Sequence, residues 1–108
     1  MSDSFKEREK GFERKHQLDQ DQAFRVQSKR DKTFGLWVAG QLGKSGADAD
    51  TYAREVVDSN FQRPGDEDML DKVRADLKAA NLSIDNETLH TELNKAEVAA
   101  VQAVKGSN

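Results

Sequence analysis

The chain has 108 residues, no cysteine, 35% apolar content and a net charge of −3. That length gives one domain at most, and the apolar share lies below the roughly 45 to 50% of typical globular domains, so part of the chain is expected to contribute little to a core. Without cysteine there are no disulfides, thiolate zinc sites or cysteine nucleophiles, and a reducing compartment is permitted. The N-terminus has no basic region followed by an apolar stretch, and the longest uncharged run, Thr33 to Gly43, is too short for the roughly 20 residues of a membrane span; neither secretion nor insertion is expected.

Residues 1 to 33 contain only five Leu, Ile, Val or Phe, against 17 in residues 34 to 108, so the core belongs to the second part. Charge divides there too, +2 before and −5 after. Neither half is basic enough to neutralise a phosphate backbone, which argues against nucleic acid as a partner.

The first 18 residues can be drawn as a helix with Phe5 and Phe12 on one face and His16 continuing the row. Like charges at i,i+4 and opposite charges at i,i+3 roughly cancel, Gly11 weakens the helix, and an isolated helix of this length is marginal. The segment is expected to be mobile or loosely helical alone. Two readings stay open: a solvated extension, or a helix-in-groove ligand anchored by Phe5 and Phe12 and steered by Arg8, Lys10, Arg14 and Lys15.

Four helices are expected beyond it. The first spans about 20–43, with Asp19 and Gln22 forming a capping box and Ala23, Val26, Phe34, Trp37, Val38 and Leu42 on one face. Gly35 and Gly40 inside it each cost on the order of 1 kcal/mol relative to alanine, which suggests close helix contacts. The second, about 49–62, has Asp48 or Asp50 as cap and a buried face of Tyr52, Ala53, Val56, Val57 and Phe61, and stops at Arg63-Pro64-Gly65.

The third, about 66–80, starts at Asp66 with Glu67 and Asp68 against the helix dipole, buries Met69, Leu70, Val73 and Leu77, and is expected to fray near Ala80 and Asn81. The fourth, about 85–104, starts after Ser83 or Asp85 and buries Leu89, Leu93, Ala96, Ala100 and Val104. Short connections between amphipathic helices favour antiparallel neighbours, so the expected fold is all-α: a four-helix bundle over 19–108 preceded by the segment 1–18.

Catalytic signatures are absent from the sequence. Gly43-Lys44-Ser45 has the form of the end of a phosphate-binding loop, but the position five before Gly43 is Val38 within a helix; a glycine helix stop is the simpler reading, with nucleotide binding through Lys44 and Ser45 as the alternative. Asp66, Glu67, Asp68 and Asp71 lack the alternation, central glycine and closing glutamate of a calcium loop and read as helix capping. His16 and His90 have no second histidine or cysteine at ligand spacing, so no metal and no cofactor is expected.

The residues from Phe34 to Asp76 resemble the zeta subunit family, inhibitors of the F-type ATP synthase in alphaproteobacteria. The resemblance rests on Gly35-Leu36-Trp37-Val38-Ala39, Leu42-Gly43-Lys44-Ser45-Gly46, Tyr52-Ala53-Arg54-Glu55-Val56-Val57, and Gly65-Asp66-Glu67-Asp68 leading to Lys72-Val73-Arg74-Ala75-Asp76. Arg8-Glu9-Lys10-Gly11-Phe12-Glu13 and Lys15 are similar to the family's inhibitory region.

The resemblance implies a non-enzymatic cytoplasmic protein, held at the inner membrane only through the synthase. Its partner would be the catalytic head, meaning the alpha and beta subunits with a gamma contact. The N-terminal region would insert at a catalytic alpha/beta interface and block rotation in the hydrolytic direction. Together with the helical-face reading above, this leads to Phe5 and Phe12 as the expected apolar anchors and Arg8, Glu13, Arg14 and Lys15 as the expected polar contacts. Gly11 and the less acidic Asp19-Gln20-Asp21-Gln22 depart from the family pattern and bear on potency. The alternatives are a bundle of the same family that binds without inhibiting, and a nucleotide-sensing bundle.

Overall fold

The computed structural model describes residues 18–61, 63 and 65–106, which form four helices: α1 (Gln20–Gln41), α2 (Gly46–Asn60), α3 (Glu67–Ala79) and α4 (Asn86–Gly106). There is no strand among the described residues, and no helix is long and apolar enough to cross a membrane. The all-α four-helix expectation is met: the first helix starts at Gln20 as expected, and every other end falls within three residues of its expected position. The segment 1–17, expected to be mobile or loosely helical, lies outside the described residues.

The helix ends follow local chemistry. At the start of α1, Asp19 Oδ1 accepts the Gln22 amide hydrogen at 2.7 Å and Gln22 Oε1 accepts that of Asp19 at 3.2 Å, the reciprocal capping box read from the sequence. Its end is closed by Gly43 at φ 81, with the Gly43 and Lys44 amides donating to Gly40 and Ala39 carbonyls at 3.1 and 2.9 Å. The same closure ends α3, with Asn81 at φ 61 in the glycine position and Leu82 N–H donating to Leu77 O at 2.9 Å. That end was expected to fray; asparagine tolerates the left-handed region well enough to seal it instead.

Two other ends differ from expectation. Asp48 and Asp50 do not cap α2: Ser45 holds the cap position, without a side-chain hydrogen bond, because Gly46 at φ 57 turns the chain into the helix earlier. Asp66 does stand at the cap position of α3, but its carboxylate makes no cap hydrogen bond and is turned elsewhere. In α4, Asp85 Oδ1 accepts the Thr88 amide hydrogen at 2.8 Å, as a cap should.

Helix α1 packs against both α2 and α4, and α3 packs on α2. The main core joins Phe34 and Val38 of α1, Tyr52 and Val56 of α2, Met69, Val73 and Leu77 of α3, and Leu89 and Leu93 of α4. A smaller cluster of Val26, Ala100 and Val104 holds Leu18, so the chain is already packed on the bundle before α1 begins. Ala23 and Phe61, expected to be inside, are exposed: Ala23 lies on the first turn of α1 at an open cleft, and α2 stops at Asn60, past which the helical period no longer sets where a side chain lies.

The glycines of α1 have opposite roles. A Cβ on Gly35 would lie 2.9 Å from the Ala53 Cα and 3.1 Å from the Val56 Cβ, so α1 and α2 approach backbone to backbone there. Gly40 is exposed and a Cβ on it would meet nothing within 4 Å, which corrects the expected close contact. Gly35→Ala is therefore expected to cost about 1–3 kcal/mol of stability through overpacking. Gly40→Ala should gain roughly 0.5–1 kcal/mol. Urea denaturation of both variants checks the opposite signs.

Candidate functional site

The inhibitory residues named from the sequence, Phe5, Arg8, Phe12, Glu13, Arg14 and Lys15, lie outside the described residues. What the structure places is the junction from which they extend. Leu18 is held in the small cluster with Val26, Ala100 and Val104, and the capping box fixes the backbone at Asp19. Beside this junction lies a cleft of ≈ 290 Å³ lined by Leu18, Ala23, Val26, Gln27, Arg30, Gly65, Asp66 and Glu97.

The floor of that region is a charged network. Arg30 donates from Nε to Asp31 Oδ1 at 2.9 Å, from Nη2 to Asp66 Oδ1 at 2.7 Å and from Nη1 to Asp66 Oδ2 at 3.3 Å. Its Nη1 also stands 3.5 Å from Glu97 Oε1. Asn60 Nδ2 donates to Asp31 Oδ2 at 2.8 Å and to Asp66 Oδ1 at 3.0 Å. One guanidinium and one amide thus tie α1, the end of α2, the start of α3 and α4 together. Asp31 is fully buried, and Asn60 Oδ1 is a buried acceptor without a partner among the described residues.

The two carboxyls respond differently to this setting. Burial raises the Asp31 carboxyl above the ordinary carboxylate value, with Asn60 and Arg30 opposing. At Asp66 burial acts in the same direction, but the hydrogen bonds from Arg30 and Asn60 prevail and hold it below that value. Truncating Arg30 to alanine leaves the buried Asp31 without its cation, an expected loss of about 3 kcal/mol in urea denaturation.

The signs in pH are opposite as well. Asp66, depressed in the fold, contributes stability above the ordinary value of about 4 and loses it as pH falls through its lowered value; Asp31, raised in the fold, costs stability as pH rises through the window above about 4. Asp66→Asn should flatten the acid side of a stability–pH curve, and Asp31→Asn should remove the decline on its neutral side.

A second polar group lies at the other end of the bundle. Tyr52 donates its hydroxyl to Asp76 Oδ2 at 2.8 Å, Lys72 Nζ donates to the same oxygen at 3.0 Å, and Lys72 also pairs with Glu55 at 3.4 Å. Burial, and then the bond to Asp76, push the Tyr52 hydroxyl far up. Lys44 lines the adjoining cleft with Lys72, and Ser45 stands at the uncapped start of α2. Any phosphate drawn to Lys44 there would face Glu55 and Asp76, which already hold Lys72.

Of the acidic group read as caps, Asp66 is in the buried network and Asp68 accepts a two-pronged bond from Arg63 at 2.9 and 2.7 Å. No cluster of His, Cys, Asp or Glu suited to a metal occurs among the described residues. Sequence reasoning missed Asp31 and Asn60, although both sit on helical faces otherwise apolar, with Phe34 three residues after Asp31 and Val56 four before Asn60. It also missed that Phe24 and Phe61 stack on each other at the surface, ring centroids 5.5 Å apart and 13° from parallel.

The polar contacts of Arg30, Asn60 and Asp66 hold helices to one another near Leu18, and those of Tyr52, Lys72 and Asp76 do so at the other end of the bundle. The family model for ATPase inhibitor subunit zeta matches residues 1–103, and the chain belongs to that family. No curated protein and no solved structure matches it. Family membership gives the chain an inhibitory role at ATP synthase and makes the synthase its partner.

Proposed function

We propose that this protein inhibits ATP hydrolysis by inserting residues 1–18 at a catalytic alpha/beta interface of the synthase head while the bundle, 19–108, stays outside and supplies further contact. The observation that carries the reading is that the family match runs from residue 1 to 103, taking in the N-terminal segment and the bundle together. Phe5 and Phe12 are the apolar anchors, and Arg8, Glu13, Arg14 and Lys15 make the polar contacts.

Blocking requires only that one rotational state of the head be bound better than the others, since a ligand shifts an equilibrium by its differential affinity. Gly11 raises the cost of ordering the segment as a helix by roughly 1 kcal/mol, about fivefold in affinity. The rigid junction at Leu18 and Asp19 supports the same division of labour, because a wedge works only if the body behind it resists being dragged through. Action on the head places the protein at the cytoplasmic face of the inner membrane.

ATP hydrolysis by a cognate head is the test, comparing full-length protein, Phe5→Ala/Phe12→Ala and a chain lacking residues 1–18. Full-length protein should inhibit, the double variant should need at least about 30-fold more protein for the same effect, and the truncated chain should not inhibit. Unchanged inhibition by the double variant would remove the wedge assignment. Binding of full-length protein without inhibition would make it a member of the family that docks without blocking.

A further inference from the structure

Two exposed phenylalanines stacked on each other are an unusual thing to leave in water. Phe24 is 57% exposed and Phe61 43% exposed, and stacking hides only one face of each ring. They close the end of the groove between α1 and α2, which continues past the half-buried Val57 and Ser28 to Lys32 and Arg54 in a cleft of ≈ 290 Å³, with Asp50 at its far side. Arg25, Arg30, Arg63, Lys72, Arg74 and Lys95 each have a carboxylate within ion-pair distance. Lys32 and Arg54 have none among the described residues, as is also true of Lys29, Lys44 and Lys78, but of these five only Lys32 and Arg54 line this cleft.

We propose that this seam, from the Phe24–Phe61 platform to Lys32 and Arg54, is the bundle's docking surface on the synthase head, and that its occupant is an acidic segment of the head with an apolar side chain seated on the two rings. The inference rests on the proposed function and specifies the bundle's share of it. The cations supply the complementarity: two positive side chains beside an apolar platform match carboxylates flanking an apolar residue, and aromatic and arginine side chains are the ones that concentrate binding energy at interfaces.

Position supplies the rest. Phe24 is four residues into α1 from Gln20, about 6 Å along the helix axis, and the capping box at Asp19 and Gln22 fixes where that helix begins. A head that holds residues 1–18, as proposed, therefore lies within two helical turns of Phe24 along the chain.

The test uses the full chain and the cognate head, with Phe24→Ser/Phe61→Ser and Lys32→Glu/Arg54→Glu as variants, each first shown by circular dichroism to melt as the wild type does. Affinity is measured at about 50 and 200 mM salt, where screening differs, together with inhibition at saturation. The Phe pair should weaken binding roughly 10- to 100-fold at both salt concentrations, the charge reversal should weaken it more at low salt, and both should still inhibit fully at saturation.

Wild-type affinity in both variants overturns the surface while leaving the wedge intact. Unchanged affinity and salt dependence in the charge reversal alone overturns the acidic occupant. Tighter binding by the Phe variant identifies the chain's own residues 1–17 as the occupant, and a loss of self-association in that variant by sedimentation identifies a second copy; either result overturns the assignment to the head. A wild-type chain that does not bind the head removes the proposed function and this surface with it.

Discussion

The architecture depends on the Arg30 guanidinium. It is the group in the bundle that meets carboxylates from its own helix, from the start of α3 and from α4, and through Asp31 and Asp66 it orders the Asn60 amide at the end of α2. The apolar core alone does not specify this arrangement so sharply, since alanine, valine and leucine surfaces tolerate sliding. A fully buried carboxylate does not: Asp31 is acceptable only where Arg30 and Asn60 reach it, and any register that moves them leaves a charge unsolvated. The network trades stability for alignment, and it does so at the end of the bundle where the N-terminal segment joins.

The remaining packing distributes accordingly. Near the network the apolar cluster is small, with Val26, Ala100 and Val104 holding Leu18, whereas the larger core around Phe34, Met69 and Leu89 lies farther along. Gly35 brings α1 and α2 to backbone contact within the larger core, against Ala53 and Val56. The end beside Leu18 thus pairs a small apolar cluster with the Arg30 network, and the far end pairs the larger core with the Tyr52–Asp76–Lys72 group, so polar contacts supplement burial at both ends of a domain with modest apolar content.

Helix number and helix faces were legible in the sequence because they follow from spacing alone. The capping box at Asp19 and Gln22 and the glycine stop at Gly43 were legible too, since each is a local event among residues a few positions apart. What was not legible required a partner distant in sequence: Asp66 was placed at the start of its helix, but its carboxylate belongs to Arg30, 36 positions earlier. Asp31 and Asn60 could be noticed only as polar residues on apolar faces, and Phe61 was put inside because the helical period was carried one residue past the helix. Interior glycines are ambiguous by nature, and Gly35 and Gly40 illustrate both outcomes. The role proposed for residues 1–18 was legible only through likeness to a family, because their own pattern is equally that of a solvated tail.

The reciprocal hydrogen bonds at Asp19 and Gln22 have a bearing on kinetics. With the chain anchored there, a preceding residue n positions away lies within about 3.5 Å × n of the anchor. With the bundle docked as proposed, residues 1–18 meet their own contact site at an effective concentration that for short linkers reaches the millimolar range. A segment of weak intrinsic affinity can then act as a strong stopper, and a change in how the bundle sits would alter inhibition without altering a single contact of the segment.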